Sequence, residues 1–406
     1  MRTSHSVEVA VVGGGPAGAA VAVRLADAGV ETALFERWPA PRWRASGVYS
    51  SPATRGRLAA IGLGPDTLEA LIRPIEAMEV TGPGGAGCRL AYGPPDHACG
   101  LDRVRLERTL LDRASACGAQ VMEGTVVRGL EPRRRATGVA RLDISTGAGQ
   151  ERWEARLIVG ADGPTSLVAR AHGVDRPVRR FRRAGLTVHR ADPAAAPPGV
   201  PMTARLAIGR GWYCGVAPVP DGRVNVGVVM SDRELAERLS RTSGPASVIR
   251  SVSDSLPGPA AAWQTAIDTD DATVALPLAH RVARRAGPGF LLVGDAAGFV
   301  DPLSGEGLHR ALISSELAAD AVQADRGGDA GALERYDRRM HARFAPRDLV
   351  SWMLQLFLAR PAMVDYAVAR LAQRHGLRKT FGNALADLEP AARILAPRYL
   401  LSVLRP

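Results

Sequence analysis

Gly13, Gly15 and Gly18 stand in the spacing GxGxxG, and the acidic Glu36 follows them. Glycines so placed allow a tight turn, let backbone approach a pyrophosphate at Gly15, Pro16 and Ala17, and pack a helix closely on a strand. Glu36 can then accept hydrogen bonds from ribose hydroxyls, while its charge repels a 2'-phosphate. The slot therefore suits the ADP-ribose of FAD or NAD and disfavours NADP. Residues 82–87, GPGGAG, satisfy the same pattern literally. Pro83 at the second position and the alternating CRLAYG that follows make them a hairpin loop, so a second dinucleotide domain is not expected.

The elements needed to hold this turn are legible around it. VEVAVV, residues 7–12, is a buried-strand run; a helical pattern covers Ala19 to Ala28, and ETALFE ends a second strand at Glu36. Residues 37–60 read as a loop entering a helix, and RLERTLLDRASACG is a second strong helix, with a turn-rich insertion between. From Leu186 to Met230 the segments RLAIG, GWYCGVAPV and RVNVGVVM alternate around Asp221-Gly222, which predicts antiparallel sheet. The strand GFLLVGD leads into a helix near Glu306 to Gln323, and residues from Leu333 onward read as helical, with breaks at Pro361 and Pro390.

Composition bounds the rest. A chain of 406 residues suits two joined domains with an extension. The net charge of +11 is arginine, since Lys379 is the only lysine, and no reader motif accompanies it, so nucleic acid is not the expected partner. Runs such as Arg133 to Arg135 and RRFRR from Arg179 read as solvated loops. Cys88, Cys99, Cys117 and Cys214 form no CxxC and the histidines no HExxH, so neither a disulfide framework nor a metal site is indicated. Neither a signal-peptide pattern nor a bilayer-length apolar run is present, and the expected compartment is the cytoplasm.

Two further segments, LIVGADGPTSLVAR (Leu157 to Arg170) and FLLVGDAAGFVDPLSGEGLHRAL (Phe290 to Leu312), join GGGPAG in a specific set. Together they resemble the FAD-dependent p-hydroxybenzoate hydroxylase superfamily over about residues 7–325, and the wording around PLSGEG is most similar to its geranylgeranyl reductase and flavin-dependent halogenase branches. The resemblance implies an α/β fold: a Rossmann-like FAD-binding domain (1–80, 100–180 and 270–325), an inserted antiparallel-sheet substrate domain (81–99 and 181–269) and a C-terminal helical region (326–406). It places Asp295 on the ribityl chain and Pro302, Gly305, Gly307, Leu308 and His309 around the flavin ring. It assigns Arg44 to the pyrophosphate region, Arg103 to the flavin phosphates, Val127 to the adenine through its backbone, Arg37 to the cofactor site beside Glu36, and Asp162 with Gly163 to the matching DG segment.

His309 is the weak candidate for proton transfer. Arg205, Trp212, Tyr213 and Cys214 lie on the sheet that the resemblance sets over the flavin; adjacent strand residues point to opposite faces, so at most one of Trp212 and Tyr213 faces a ligand. The apolar stripe of residues 349–371 reads as core docking or, more sharply, as a greasy wall or a peripheral membrane contact. The expected activity is an NAD(P)H-dependent FAD monooxygenase, self-sufficient or served by a separate flavin reductase, that hydroxylates or epoxidises an aromatic, polyketide or terpenoid metabolite. The alternative is an alkene reductase, although Ser46-Gly47 stands where prenyl reductases of the resemblance carry Cys-Gly. Halogenation is disfavoured because it needs a lysine near the flavin, and Lys379 lies beyond the flavin-binding segments.

Overall fold

The computed structural model describes residues 4–93, 96–133, 138–178, 182–192, 195–256 and 272–405. Arg134, Arg135 and Arg179 lie outside these. Five parallel strands form the body of the first, eight-stranded sheet in the order Phe290–Leu292, Gly149–Gly160, Ser4–Val12, Thr32–Phe35 and Gln120–Met122, with Ala286–Gly287 antiparallel on the first of them. Val9, Ala10 and Val11 are almost wholly buried, as a parallel strand covered on both faces requires. A meander of Val126–Glu131 and Ala140–Thr146 folds antiparallel onto Gly149–Gly160.

Helix Pro16–Asp27 starts on a proline at its first turn and buries Ala17, Ala19, Ala20, Val21, Ala22 and Val23. Small residues on several faces let it sit between the sheet and helices Arg103–Ala116 and Gly307–Arg326. Helix Arg103–Ala116 is capped by Asp102, whose carboxylate accepts from the Val104 and Arg105 amides, and it buries Leu106, Leu110, Leu111 and Ala114 at helical spacing.

The second sheet runs Thr273–Ala275, Arg183–Ala191, Arg223–Ser231, Trp212–Val219, Met202–Ile208, Ile72–Thr81, Ala98–Leu101 and Tyr49–Ser50, with Gly87–Ala91 paired on Ile72–Thr81. It is antiparallel except at one seam, where Met202–Ile208 runs parallel to Ile72–Thr81. The seam joins segments separated by four strands of the first sheet and two helices, and with Tyr49–Ser50 and Ile72–Thr81 among its strands the sheet begins upstream of residue 81. Residues 82–86 form the hairpin loop expected of GPGGAG. Asp221 and Gly222 both take left-handed φ values, 63° and 62°, as their hairpin turn demands.

The two faces of this sheet have different neighbours. Val188, Ala207, Cys214, Val216, Val226 and Val228 pack with helices Asp232–Leu239 and Pro245–Asp254. On the other face, Val80 and Leu90 meet Val364, Val368 and Leu371 of helix Pro361–Gln373. Helix Ala332–Leu358 contains Pro346, Pro361 opens the next helix, and Pro390 precedes the short helix Ala392–Leu395. No helix among the described residues is long and apolar enough to cross a membrane.

Candidate functional site

Three motif segments meet at the carboxyl ends of the parallel strands. Gly13 takes φ +104°, and a Cβ there would lie 2.5 Å from the Ala161 carbonyl oxygen; a Cβ at Gly18 would lie 1.9 Å from the Gly13 oxygen. Gly294 is as tightly held, its added Cβ falling 2.7 Å from that of Ala17. Gly15 differs, because a Cβ on it would meet nothing within 4 Å. The turn is thus closed on the protein side and open on the other, and helix Pro16–Asp27 has no side-chain cap for its first amides. That combination is a cradle for an anion.

Glu36 is buried, accepting from the Gly14 amide at 2.6 Å and the Trp38 amide at 3.1 Å. Each carboxylate oxygen retains acceptor capacity for a ribose hydroxyl. With Trp38, Arg42, Arg44 and Glu107 it lines a small cleft, and the Arg42 guanidinium lies 3.3 Å from the centre of the Trp38 ring. Arg37 is exposed. Val127 lies on the meander strand, two residues past Thr125, whose amide donates to the Glu36 carbonyl.

Arg44 and Arg103 converge on Glu107, Arg44 at 2.7 Å and Arg103 at 3.6 Å. Arg103 also donates to the Gly47 carbonyl at 2.8 Å, and its Nε is buried without a partner. Burial draws the Arg103 pKa down, Glu107 and Asp295 oppose this, and Arg44 adds to it. Asp295 follows the strand Phe290–Leu292; burial raises its carboxyl above the usual range against the pull of Arg310 and Arg103. Two close arginines with spare donor capacity suit a diphosphate, and a shielded carboxyl suits polyhydroxyl recognition. Glu107 was missed from sequence; its signal was the i,i+4 spacing from Arg103.

Asp162 accepts from the Leu167 amide at 2.6 Å, while its Oδ1 is buried and unpartnered. Burial raises its pKa, and the hydrogen bonds from Ser166 and nearby amides oppose the rise. Gly163, at φ +79°, faces open space. Its neighbour therefore orders the strand-to-helix turn while leaving one acceptor oxygen available.

Asp301 holds the flavin-loop segment expected at Pro302 to His309. Its carboxylate accepts from the Leu303 amide at 3.0 Å and the Tyr213 hydroxyl at 2.6 Å, with Arg183 at 4.0 Å. Gly305 takes φ +67°, and a Cβ there would strike the Tyr49 ring at 2.4 Å. The Tyr49 hydroxyl donates to Tyr92 at 2.7 Å. Burial raises the Tyr49 pKa well above its ordinary value and pushes Tyr92 to about 12, so both remain protonated at neutral pH. Gly307 opens the long helix, whose first turn has no side-chain cap, and Leu308 is buried beneath it.

One nitrogen of the His309 ring is engaged by the C-terminal region. Its Nε2 is bonded to Asp387, which Arg343 and Arg347 also grip; Arg347 reaches Glu306 as well. His309 is 2% exposed, and burial lowers its pKa despite the opposing bond to Asp387. The imidazole thus docks the C-terminal region onto the loop through Nε2, while its Nδ1 is buried without a hydrogen-bond partner. Asp387 gave no signal in sequence, being 78 residues away.

Of the four residues expected on the substrate side, the structure turns one inward. Tyr213 reaches Asp301, whereas Cys214 and Trp212 pack with the outer helices and Arg205 pairs with Glu79 on the exposed surface at 3.7 Å. The strand's period of two is the reason: residues 212 and 214 share the face opposite Tyr213. Arg205, Trp212 and Cys214 therefore do not line the flavin side.

A family model described as FAD binding domain matches residues 6–345. The chain is 30% identical over 343 residues to digeranylgeranylglycerophospholipid reductase 2 of Methanothermobacter thermautotrophicus, covering 82% of each. It is 28% identical over 374 residues to a menaquinone reductase of Mycolicibacterium smegmatis, covering 88% of this chain and 86% of the other. Among solved structures, a flavoprotein/dehydrogenase from Cytophaga hutchinsonii shares the fold with a TM-score of 0.84, at 18% identity over 98% of both chains. This chain is also similar to a tryptophan 2-halogenase of Chondromyces crocatus, at 27% identity over 96% of this chain and 75% of the other, and shares its fold with a myxobacterial FAD-dependent halogenase at a TM-score of 0.74 and 23% identity over 85% of this chain and 82% of that one.

Proposed function

Because the chain belongs to the FAD binding domain family, we propose that this FAD-dependent oxidoreductase saturates a carbon–carbon double bond in a hydrophobic substrate, with NAD(P)H as electron donor. FAD supplies reversible two-electron chemistry when bound. The open Gly15 turn, the Arg44–Arg103 pair, Glu36 and Asp295 fit its nucleotide and sugar chain. The observation that carries the reductase reading is the hydrogen-bonded Tyr49–Tyr92 pair, with the Tyr49 ring against Gly305. Saturation adds one hydride and one proton across the double bond, and the tyrosine pair holds a proton for the second. The similarity to two reductases over more than 80% of each partner supports the same reading.

Oxygen insertion is the second reading, favoured by Ser46 at the position where the reductases of the resemblance carry cysteine. Halogenation is not supported, since Lys379 is exposed on helix His375–Leu385. The test is anaerobic mixing of reduced, FAD-loaded protein with geranylgeraniol, followed by mass analysis with and without oxygen. Gain of two hydrogens without oxygen establishes reduction; gain of one oxygen atom only in air establishes the second reading. Tyr49→Phe should keep its flavin and slow saturation by roughly 100-fold or more, as loss of a positioned acid does; an unchanged rate removes the tyrosine pair from the reaction.

A further inference from the structure

We infer that Gly215 and Gly227 form the floor of a substrate slot that takes a slim, unsaturated hydrocarbon group, and that the size of residue 215 sets what the slot admits. The inference rests on the reading of a hydrophobic substrate above and locates where its apolar part lies.

Glycine in the middle of a strand weakens it, and two glycines directly opposed do so twice, so such a pair marks close approach of something else. Gly215 and Gly227 are direct register partners in the centre of the second sheet, and the row continues to Leu206 on one side and Thr187 on the other. Alternation puts them on the face of Tyr213, which points at the flavin loop through Asp301. The rows to either side are filled. Tyr213 and Val229 pack with Leu358 and Leu303, and Ala217 packs with Val48 and Tyr92.

Between those rows the surface is open. Gly215 and Gly227 retain partial exposure, whereas Tyr213, Ala217, Asn225 and Val229 are buried. A Cβ on Gly215 would meet nothing within 4 Å, and one on Gly227 would find its nearest neighbour, the Thr187 methyl, at 3.6 Å. Two other glycines of the sheet are not like this: a Cβ on Gly100 would collide with the Pro218 carbonyl at 1.8 Å, and one on Gly185 would press Leu278 at 3.3 Å. The missing side chains at residues 215 and 227 therefore leave a hollow rather than accommodate a neighbour.

The dimensions and chemistry of the hollow select its occupant. Side chains on one face recur every ~7 Å along a strand, so a missing row leaves a trough about one hydrocarbon chain wide, running across the strands. One wall is the Tyr213 ring and Val229, with Leu206 and Leu303 near them; the other is Ala217 and Asn225, whose Oδ1 would lie 3.8 Å from a Cβ on Gly227, and Arg183 and Asp301 face each other beside Tyr213. A flat alkene segment can lie on the exposed peptide planes between these rows, with Asn225 a polar side chain on its wall.

Titration of FAD-loaded protein with geranylgeraniol and with 2-methyl-1,4-naphthoquinone, following the flavin absorbance, tests the slot. Wild type should show a saturable perturbation with at least one probe. Gly215→Leu should keep flavin content and melting temperature but weaken that binding about tenfold or more, because the new side chain fills the trough. Wild-type affinity in Gly215→Leu overturns the assignment. Should the leucine protein lose its fold, Gly215→Ala, whose methyl has free space, carries the test, and unchanged affinity there also overturns it. Failure of wild type to respond to either probe while flavin stays bound defeats the hydrophobic-substrate reading itself, which separates the two failures.

Discussion

Replacement of Gly15 by valine separates flavin binding from folding. Gly15 lies at φ −65° and ψ 177°, a conformation open to any L-residue, and its added Cβ meets no protein atom within 4 Å. The apoprotein should therefore keep its stability to within ~1 kcal/mol. The branched side chain would fill the space through which a pyrophosphate reaches the first amides of helix Pro16–Asp27. Losing two charge-assisted hydrogen bonds at ~1.5–3 kcal/mol each removes ~3–6 kcal/mol, or about 140- to 20,000-fold in affinity. Gly18→Ala is the contrast, since its methyl would sit 1.9 Å from the Gly13 oxygen and must disturb the helix–strand packing. The assay is visible flavin absorbance per protein after purification and after added FAD, alongside thermal unfolding of the apoprotein. Colourless, stably folded Gly15→Val and unstable Gly18→Ala are expected. A Gly15→Val protein that purifies with a full complement of flavin would refute the cradle.

Asp387→Asn keeps the shape of a residue at φ 61° but removes the charge that Arg343, Arg347 and His309 share. Breaking this buried cluster should cost about 3–5 kcal/mol in urea unfolding, and an effect below ~1 kcal/mol would show the network to be incidental. The same cluster sets a pH dependence. Burial holds the His309 pKa below 6.5 in the fold, so as pH falls through that value the unfolded chain takes up the proton first and stability declines. For Asp387, burial acting alone would raise the pKa, yet the bonds from His309 and the arginines hold it well below the carboxylate range; its contribution persists above 3.8 and is lost in stronger acid. His309→Asn should flatten the melting-temperature slope between about pH 6.5 and 5, and a slope equal to wild type would exclude His309 as its source.

The nucleotide-binding half of this molecule was legible because local chemistry dictates it. A glycine turn between strand and helix, and an acid ending the next strand, are fixed by short-range sterics, and the structure places Gly13, Gly18 and Glu36 accordingly. The second sheet was legible in its alternation but not in its pairing. Nothing near Ile72–Thr81 announces a parallel seam with Met202–Ile208, because such a contact depends on the whole intervening chain. Alternation likewise limited the inward residue to one of Trp212 and Tyr213, and the choice was made by Asp301, 88 positions from Tyr213. His309 was singled out by motif, but its partner Asp387 sits in a remote turn, just past helix His375–Leu385, whose docking leaves no local trace.

The unequal neighbours of the two sheet faces bear on how such a chain can diverge. Odd positions of Trp212–Val219 look toward the flavin loop and C-terminal helices, while even positions are locked against the helices spanning residues 232–254. Selection for a new metabolite can act on one set while the other preserves foldability, so single substitutions at alternate sites are a short evolutionary path between enzymes of unlike preference on one scaffold.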